Sequence, residues 1–205
     1  MGIYSELILP RLVHGSMRNP ELLPYRLRVL APAVGRVLEV GIGSGLNLPH
    51  YPEGVTEVIG IDPSTRLAAM ARRAASSAAF PVTVTEHSAE AIPLATASVD
   101  TVVTTWTLCS IPRVGRALCE MRRALKPGGQ LLFVEHGLSP DKSVRRWQDR
   151  LTPLWKCCAG GCHLNRPIGK LIEDAGFRCS ALETGYAKGP RPMVFMYEGR
   201  ASNDG

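Results

Sequence analysis

Apolar residues fall in two alternating rhythms along the middle of the chain. The runs "RVLEV" (36–40), "TEVIGID" (56–62), "PVTVTEH" (81–87), "VDTVVTTW" (99–106) and "QLLFVEH" (130–136) are short, apolar and bounded by turn residues, and each predicts a strand. Between them, "TRLAAMARRAASS" (65–77) and "GRALCEMRRAL" (115–125) carry the alanines and arginines of helices. Ser64 stands ready to cap the first, and Lys126-Pro127-Gly128-Gly129 to stop the second. The strands are apolar runs rather than strict alternations, which predicts a parallel sheet covered by helices on both faces. Two later runs, "FRCSALETG" (177–185) and "RPMVFMYEG" (191–199), are joined too closely for a parallel crossover and predict an antiparallel hairpin. Residues 4–30 read as a helical preface interrupted at Pro10 and turned at Asn19-Pro20. The resulting division is a preface or lid over 1–34, an α/β domain over 35–200 and a frayed polar tail over 201–205.

Composition narrows the class. A chain of 205 residues with 45% hydrophobic content is long enough for one domain with a sizeable core. The net charge of +6 is spread over pairs such as Arg72-Arg73 and Arg145-Arg146, a solvated basic surface rather than a nucleic-acid stripe, and only 6% of residues are aromatic. No nucleic-acid partner is expected, while contact with anionic lipid at the periphery stays open. Six cysteines without a signal peptide predict reduced thiols and a cytoplasmic protein, and no run is long enough to span a bilayer.

The candidate chemistry centres on "VLEVGIGSGLN" (37–47), where Gly41, Gly43 and Gly45 follow the first strand at the edge where open parallel sheets bind ligands. Glycines let a ligand approach the backbone, and a helix start after them would add free N–H groups. The spacing fails the dinucleotide fingerprint, whose third glycine would fall at Leu46, and no P-loop lysine follows. Glu39, two residues before the first glycine, suits a cation rather than phosphate. Asp62, ending the second strand, can accept hydrogen bonds from a ribose. Together they predict a cationic nucleoside, and S-adenosylmethionine has those parts and no phosphate. The plainer alternative is a structural turn beside a helix-capping aspartate.

"VLEVGIGSGLNLP", "VIGIDPS", "SAEAIPL", "SVDTVV" and "LKPGGQLLFVEHG" resemble, in order, the motifs of class I S-adenosylmethionine-dependent methyltransferases over residues 36–137. The run at 149–177, with "GCHLNR" and Pro-x-Trp-Lys, is similar to the thiol S-methyltransferases of animals and their bacterial relatives. The resemblance implies a Rossmann-like fold with a mostly parallel seven-stranded sheet ending in an antiparallel hairpin. It implies that Glu39, Gly41, Gly43, Gly45 and Asn47 border the methionine part and the loop beyond. Asp62 would take the ribose, Pro63 and Ser64 would flank the adenine, and Ser88, Ala89 and Glu90 would lie at its edge, with Ser88 in place of the more usual aspartate. Animal members carry an apolar amino-terminal anchor. This chain begins near its first helix, so membrane attachment is not expected to carry over, and Tyr4, Leu9, Leu12 and His14 are candidate lid residues.

The acceptor is expected between "TTWTLCS" (104–110), which includes Thr105, and Glu135-His136-Gly137. The first lacks the Asn/Asp-Pro-Pro-aromatic motif of base N-methylation. His136 and then His163 are candidates for removing the acceptor's proton, each also readable as a loop-capping histidine. Cys157, Cys158, Cys162 and His163 match no common zinc spacing, so no metal is expected. The predicted activity is methyl transfer to a small, fairly apolar acceptor, an alkyl thiol by resemblance. N-methylation of a phospholipid or small amine, C-methylation of a quinone-like ring and a non-catalytic binding module are the alternatives.

Overall fold

The computed structural model describes residues 4–203. A π-helical turn (Tyr4–Ile8) leads into α1 (Leu9–Met17), and α2 (Leu23–Leu30) completes the preface. Pro10 does not break α1, because it lies in the first turn, where a missing N–H leaves no intrahelical bond unmade. The strands follow as β1 (Gly35–Val40), β2 (Val55–Ile61), β3 (Val82–Thr85), β4 (Val99–Thr105), β5 (Leu125–His136), β6 (Arg178–Tyr186) and β7 (Phe195–Ser202). Helices α3 (Thr65–Ala75), α4 (Val114–Ala124), α5 (Lys142–Cys158) and α6 (Ile168–Asp174) lie between them.

The seven strands form one sheet of order β3-β2-β1-β4-β5-β7-β6. β1 through β5 pair in parallel, and β7 inserts antiparallel between β5 and β6. Successive strand residues feed opposite layers. Leu38 and Phe133 join Leu118, Met121 and Ile168 on one side, while Val37 and Leu132 join Leu30, Ala68 and Ala71 on the other. Two apolar layers explain why the strands lack a polar alternation. The predicted Rossmann-like α/β sheet with its antiparallel hairpin is the observed one.

Four details differ from the sequence reading. No α-helix follows the glycine loop: residues 41–54 contain only a 3-10 turn, Leu48–His50, because Pro49 and Pro52 leave no room for a longer one. The stop at Lys126–Gly129 ends α4 as expected, but the chain enters β5 at once, absorbing the glycines in a register shift opposite Val99 and Thr101. β7 starts later than predicted, after a 3-10 turn at Arg191–Met193, and runs into the segment read as tail. There Ala201 is fully buried opposite Leu131 and Asn203 N–H donates to Gly129 O, whereas Asp204 and Gly205 lie outside the described residues. Finally, α5 forms where the sequence reading placed no element; two of its three buried residues, Gln148 and Thr152 beside Val144, are polar and mark no apolar period.

Gly199 marks the tightest packing of the hairpin. A methyl group there would strike the carbonyl of Ala181 and stand 2.7 Å from Phe133 Cζ. Gly199→Ala is therefore expected to destabilise the chain by about 1–3 kcal/mol in urea unfolding, the usual effect of overpacking a core; an unchanged midpoint would mean that β6 can move away freely.

Candidate active site

β1 delivers Glu39 to the carboxyl edge of the sheet, buried to 1% exposure. Its Oε1 accepts from Asn47 Nδ2 at 2.8 Å and its Oε2 from Tyr51 Oη at 2.9 Å. Arg26, from α2, donates to Asn47 Oδ1 at 2.5 Å and to Met17 O at 3.1 Å, and its guanidinium lies 4.9 Å from the Trp106 ring centroid. Burial pushes the Glu39 carboxyl up to about 7, against the opposing pull of Tyr51, Asn47 and Arg26. Among the described residues no salt bridge closes on it, so it is a buried acid held at the edge of ionisation.

β2 delivers Asp62. One oxygen accepts from Ser64 N–H at 2.8 Å and the other from Gly43 N–H at 3.0 Å. Burial raises its pKa, and these two backbone donors work against that rise. At Gly43, φ +56°, a side chain would meet only the Gly41 carbonyl, at 3.9 Å. Gly41, at φ +71°, has no such room, because Thr107 occupies that volume. Only glycine supports both the left-handed turn and the close approach of the β4 loop.

Both carboxylates face one cavity of about 320 Å³. Leu9, Val13, His14 and Met17 cover it from α1, with His14 Nδ1 2.7 Å from Ser44 Oγ. Trp106, Thr107, Ile111 and Pro112 form the opposite wall, and Ile61, Leu67 and His87 surround the Asp62 end. Of the predicted cofactor residues, Glu39, Gly41, Gly43, Asp62, Pro63, Ser64, Ser88, Ala89 and Thr105 line this space. Gly45, Asn47 and Glu90 stand behind it. Gly45 packs on Ala71 and Ala74, Asn47 bridges Glu39, Thr105 and Arg26, and Glu90 holds Arg113 through side chain and backbone. Among the lid candidates, Leu9 and His14 reach the cavity; Leu12 is exposed and Tyr4 donates to Cys158 O. Arg26, Tyr51 and Ser44 were not found in the sequence, where nothing marks one arginine among many as buried.

Neither predicted proton acceptor is part of the cavity wall. His163 is half-buried with Nδ1 3.2 Å from Cys109 O, and His136 Nε2 lies 3.0 Å from Cys162 Sγ. The cysteines weighed as a group also separate: Cys157 and Cys158 are exposed, and Cys162 is buried near Cys109. All six are free thiols. Glu135, fully buried beside His136, accepts three hydrogen bonds on Oε1, from Thr104 Oγ1 and the N–H groups of Thr107 and Leu108.

This donor set fits a cationic nucleoside. Two carboxylates face a largely apolar space in which, among the described residues, the lysine or arginine side chain lining it is Arg26, already engaged with Asn47. A pyrophosphate would meet two acids and no lysine.

A seven-stranded sheet with an antiparallel seventh strand, binding beyond β1 and β2, defines the class I methyltransferases. Their fold recurs in the crystal structure of a SAM-dependent methyltransferase from Methanosarcina mazei, with TM-score 0.66 and 21% identity over 82% of this chain and 91% of that one. A family profile described as "Methyltransferase domain" matches residues 38–133. Thiol S-methyltransferase TMT1B of Homo sapiens is 34% identical over 177 residues, covering 83% of this chain and 70% of that one. TMT1B of Rattus norvegicus is 36% identical over 151 residues, 72% of this chain and 62% of its own length. The chain belongs to the class I S-adenosylmethionine-dependent methyltransferase family and is related to the thiol S-methyltransferases. It spans 62% of the rat relative and 70% of the human one. Among the described residues, no helix is long and apolar enough to cross a membrane.

Arg26 provides a test of the buried network. Glu39 binds its proton more tightly in the folded chain (about 7) than at its ordinary 4.5, so its burial lowers stability as pH rises between those values, and the loss is complete above 7. Arg26→Met removes the nearby cation and the donor to Asn47, and is expected to lower stability by about 1–3 kcal/mol. The loss should be larger at pH 8 than at pH 6 in urea unfolding, since ionised Glu39 then lacks its partner; equal losses at both pH values would show that Arg26 acts through packing alone.

Proposed function

We propose that this chain transfers a methyl group from S-adenosylmethionine to a small, fairly apolar acceptor, and that the acceptor is an alkyl thiol. The observation that carries the first half is the pair of carboxylates, Glu39 and Asp62, at the ends of adjacent strands on one apolar cavity. The likeness to thiol S-methyltransferases over 72–83% of the chain supports the second. When bound, S-adenosylmethionine supplies a methyl group activated by the positive sulfur. The residues of the chain bind, orient and exclude water. Asp62 accepts from ribose hydroxyls, while Glu39, steered by Asn47 and Tyr51, offers negative charge to the cationic end. Leu9 and Val13 keep the space dry from above, and Thr105, Trp106, Thr107 and Ile111 shape the acceptor side.

Holding two reactants aligned in such a space can contribute roughly 7–11 kcal/mol to lowering a barrier, so no strong base is required. A thiol reacts as its thiolate, and positive groups nearby promote that form. His136 and His163 would serve by shaping the wall behind the acceptor rather than by touching it. Gly45 and Glu90 would act as supports, Gly45 seating the loop on α3 and Glu90 fixing the turn before α4. Six unbridged cysteines support a reducing compartment such as the cytoplasm.

S-adenosylhomocysteine formation across a panel of alkyl thiols, small amines, phosphatidylethanolamine and a quinol is the direct test. Turnover is expected with thiols, and binding of S-adenosylmethionine without product from any thiol would remove the reading. A second test concerns Glu39, whose carboxyl is pushed up to about 7 by burial. A cation placed against it favours the ionised form, so binding should release a proton near pH 6, and Kd should fall as pH rises toward 7 and then level. Calorimetry in buffers of different ionisation heat should register that proton for the wild type and lose it in Glu39→Gln. No proton release in the wild type would place the cation elsewhere.

A further inference from the structure

Two buried cysteines and a half-buried histidine from distant parts of the chain meet just behind the acceptor wall. Cys109 lies in the turn after β4, His136 ends β5, and Cys162 lies in the loop between α5 and α6. Both sulfurs and a ring nitrogen of His136 all lie within 4.8 Å of one another, and His136 Nε2 is 3.0 Å from Cys162 Sγ. Cys109 is 2% exposed and Cys162 7%. The group adjoins the cavity through Ser110, whose Oγ is 3.5 Å from Cys109 Sγ, but does not line it.

We infer that Cys109, Cys162 and His136 form a binding site for a zinc ion. Two thiolates and an imidazole are the ligands this ion prefers, and tetrahedral zinc with Zn–S of about 2.3 Å and Zn–N of about 2.0–2.1 Å separates its ligand atoms by about 3.5–3.8 Å. His136 Nε2 and Cys162 Sγ lie just inside that range at 3.0 Å and every pair lies within 4.8 Å, so an entering ion widens the contact between His136 and Cys162 by about half an ångström and takes Cys109 with a small adjustment of its side chain. A fourth position is left for water or for a group entering from the acceptor side.

The buried Glu135 carboxylate beside the cluster also points to a cation. Glu135 Oε2 and His136 Nδ1 are buried without a hydrogen-bond partner among the described residues, at the same end of β5. Glu135 grips Thr107 and Leu108, the turn that carries Cys109, as a carboxylate supporting a metal site does. Charge balances as well. The two thiols release two protons as the dication enters, and buried Glu135 and Arg166, the latter bonded to Leu108 O, offset each other. The ion would pin the β4 turn, the β5 end and the α5–α6 loop together, fixing the acceptor side of the cavity. This holds whatever the acceptor is.

The test is metal content and spectroscopy on the untagged, reduced full chain. Zinc analysis should find one ion per chain after reconstitution. Cobalt substitution should produce a thiolate-to-cobalt charge-transfer band and the ligand-field bands of a tetrahedral ion. Cys109→Ser, Cys162→Ser and His136→Ala should each weaken zinc binding by at least about tenfold, by analogy with the loss of supporting residues alone, whereas Cys157→Ser and Cys158→Ser keep it. X-ray absorption of the zinc-loaded wild type, which needs no variant to fold, should find two sulfur neighbours. Failure of the wild type to bind either metal, two thiols lost to a disulfide after reduction and reconstitution, or a zinc shell without sulfur would each overturn the site.

Discussion

A carboxylate buried at the carboxyl end of a central strand sets the terms for everything around it. Glu39 sits where β1 is flanked by β2 and β4, so the side chain has only the cavity beyond the strand ends to face. An acid in that position needs donors, and they come from three places: Asn47 from the glycine loop, Tyr51 from beyond the 3-10 turn and, through Asn47, Arg26 from the preface. The preface is thereby joined to the site by electrostatics as well as by the apolar contacts of Val29 and Leu30. Trp106 carries the same connection to the opposite wall through its contact with the Arg26 guanidinium.

The glycine loop works differently from a phosphate cradle. A phosphate site draws on the N–H groups and dipole at the start of a helix. Here no α-helix follows, and the one loop N–H drawn toward the second acid, that of Gly43, is taken by Asp62. The recognition surface that results is negative and apolar. Desolvation makes each acid reluctant to ionise alone and therefore more responsive to an arriving cation, because charges interact strongly where water is scarce. The same apolar walls serve alignment of a methyl donor and its acceptor.

The acceptor side depends on the antiparallel insertion of β7. That strand holds β5 in register from Gln130 to His136, with Met196 opposite His136 and Tyr197 opposite Glu135. Tyr197 also donates to Leu138 O, carrying the chain from β5 toward α5. The end of β5 thus arrives beside the β4 turn and the α5–α6 loop, where His163 N–H donates to Cys109 O and Leu138 N–H to Arg166 O. Sheet order, not any local motif, creates this meeting.

What could be read along the chain was whatever depends on near neighbours. Strand runs, the Ser64 cap, the glycines that turn sharply and the acids two residues before the first glycine and at the end of β2 all follow from local sterics and periodicity. Helix α5 escaped because its buried stripe is Val144, Gln148 and Thr152, and Ala201 was read as tail because small residues reveal little of their burial. Arg26 over Glu39, and Cys109 beside His136 and Cys162, were decided only by the folded sheet. Their sequence separations carry no periodic signal, and burial of a charge or a thiol is settled by which strand ends the topology brings together.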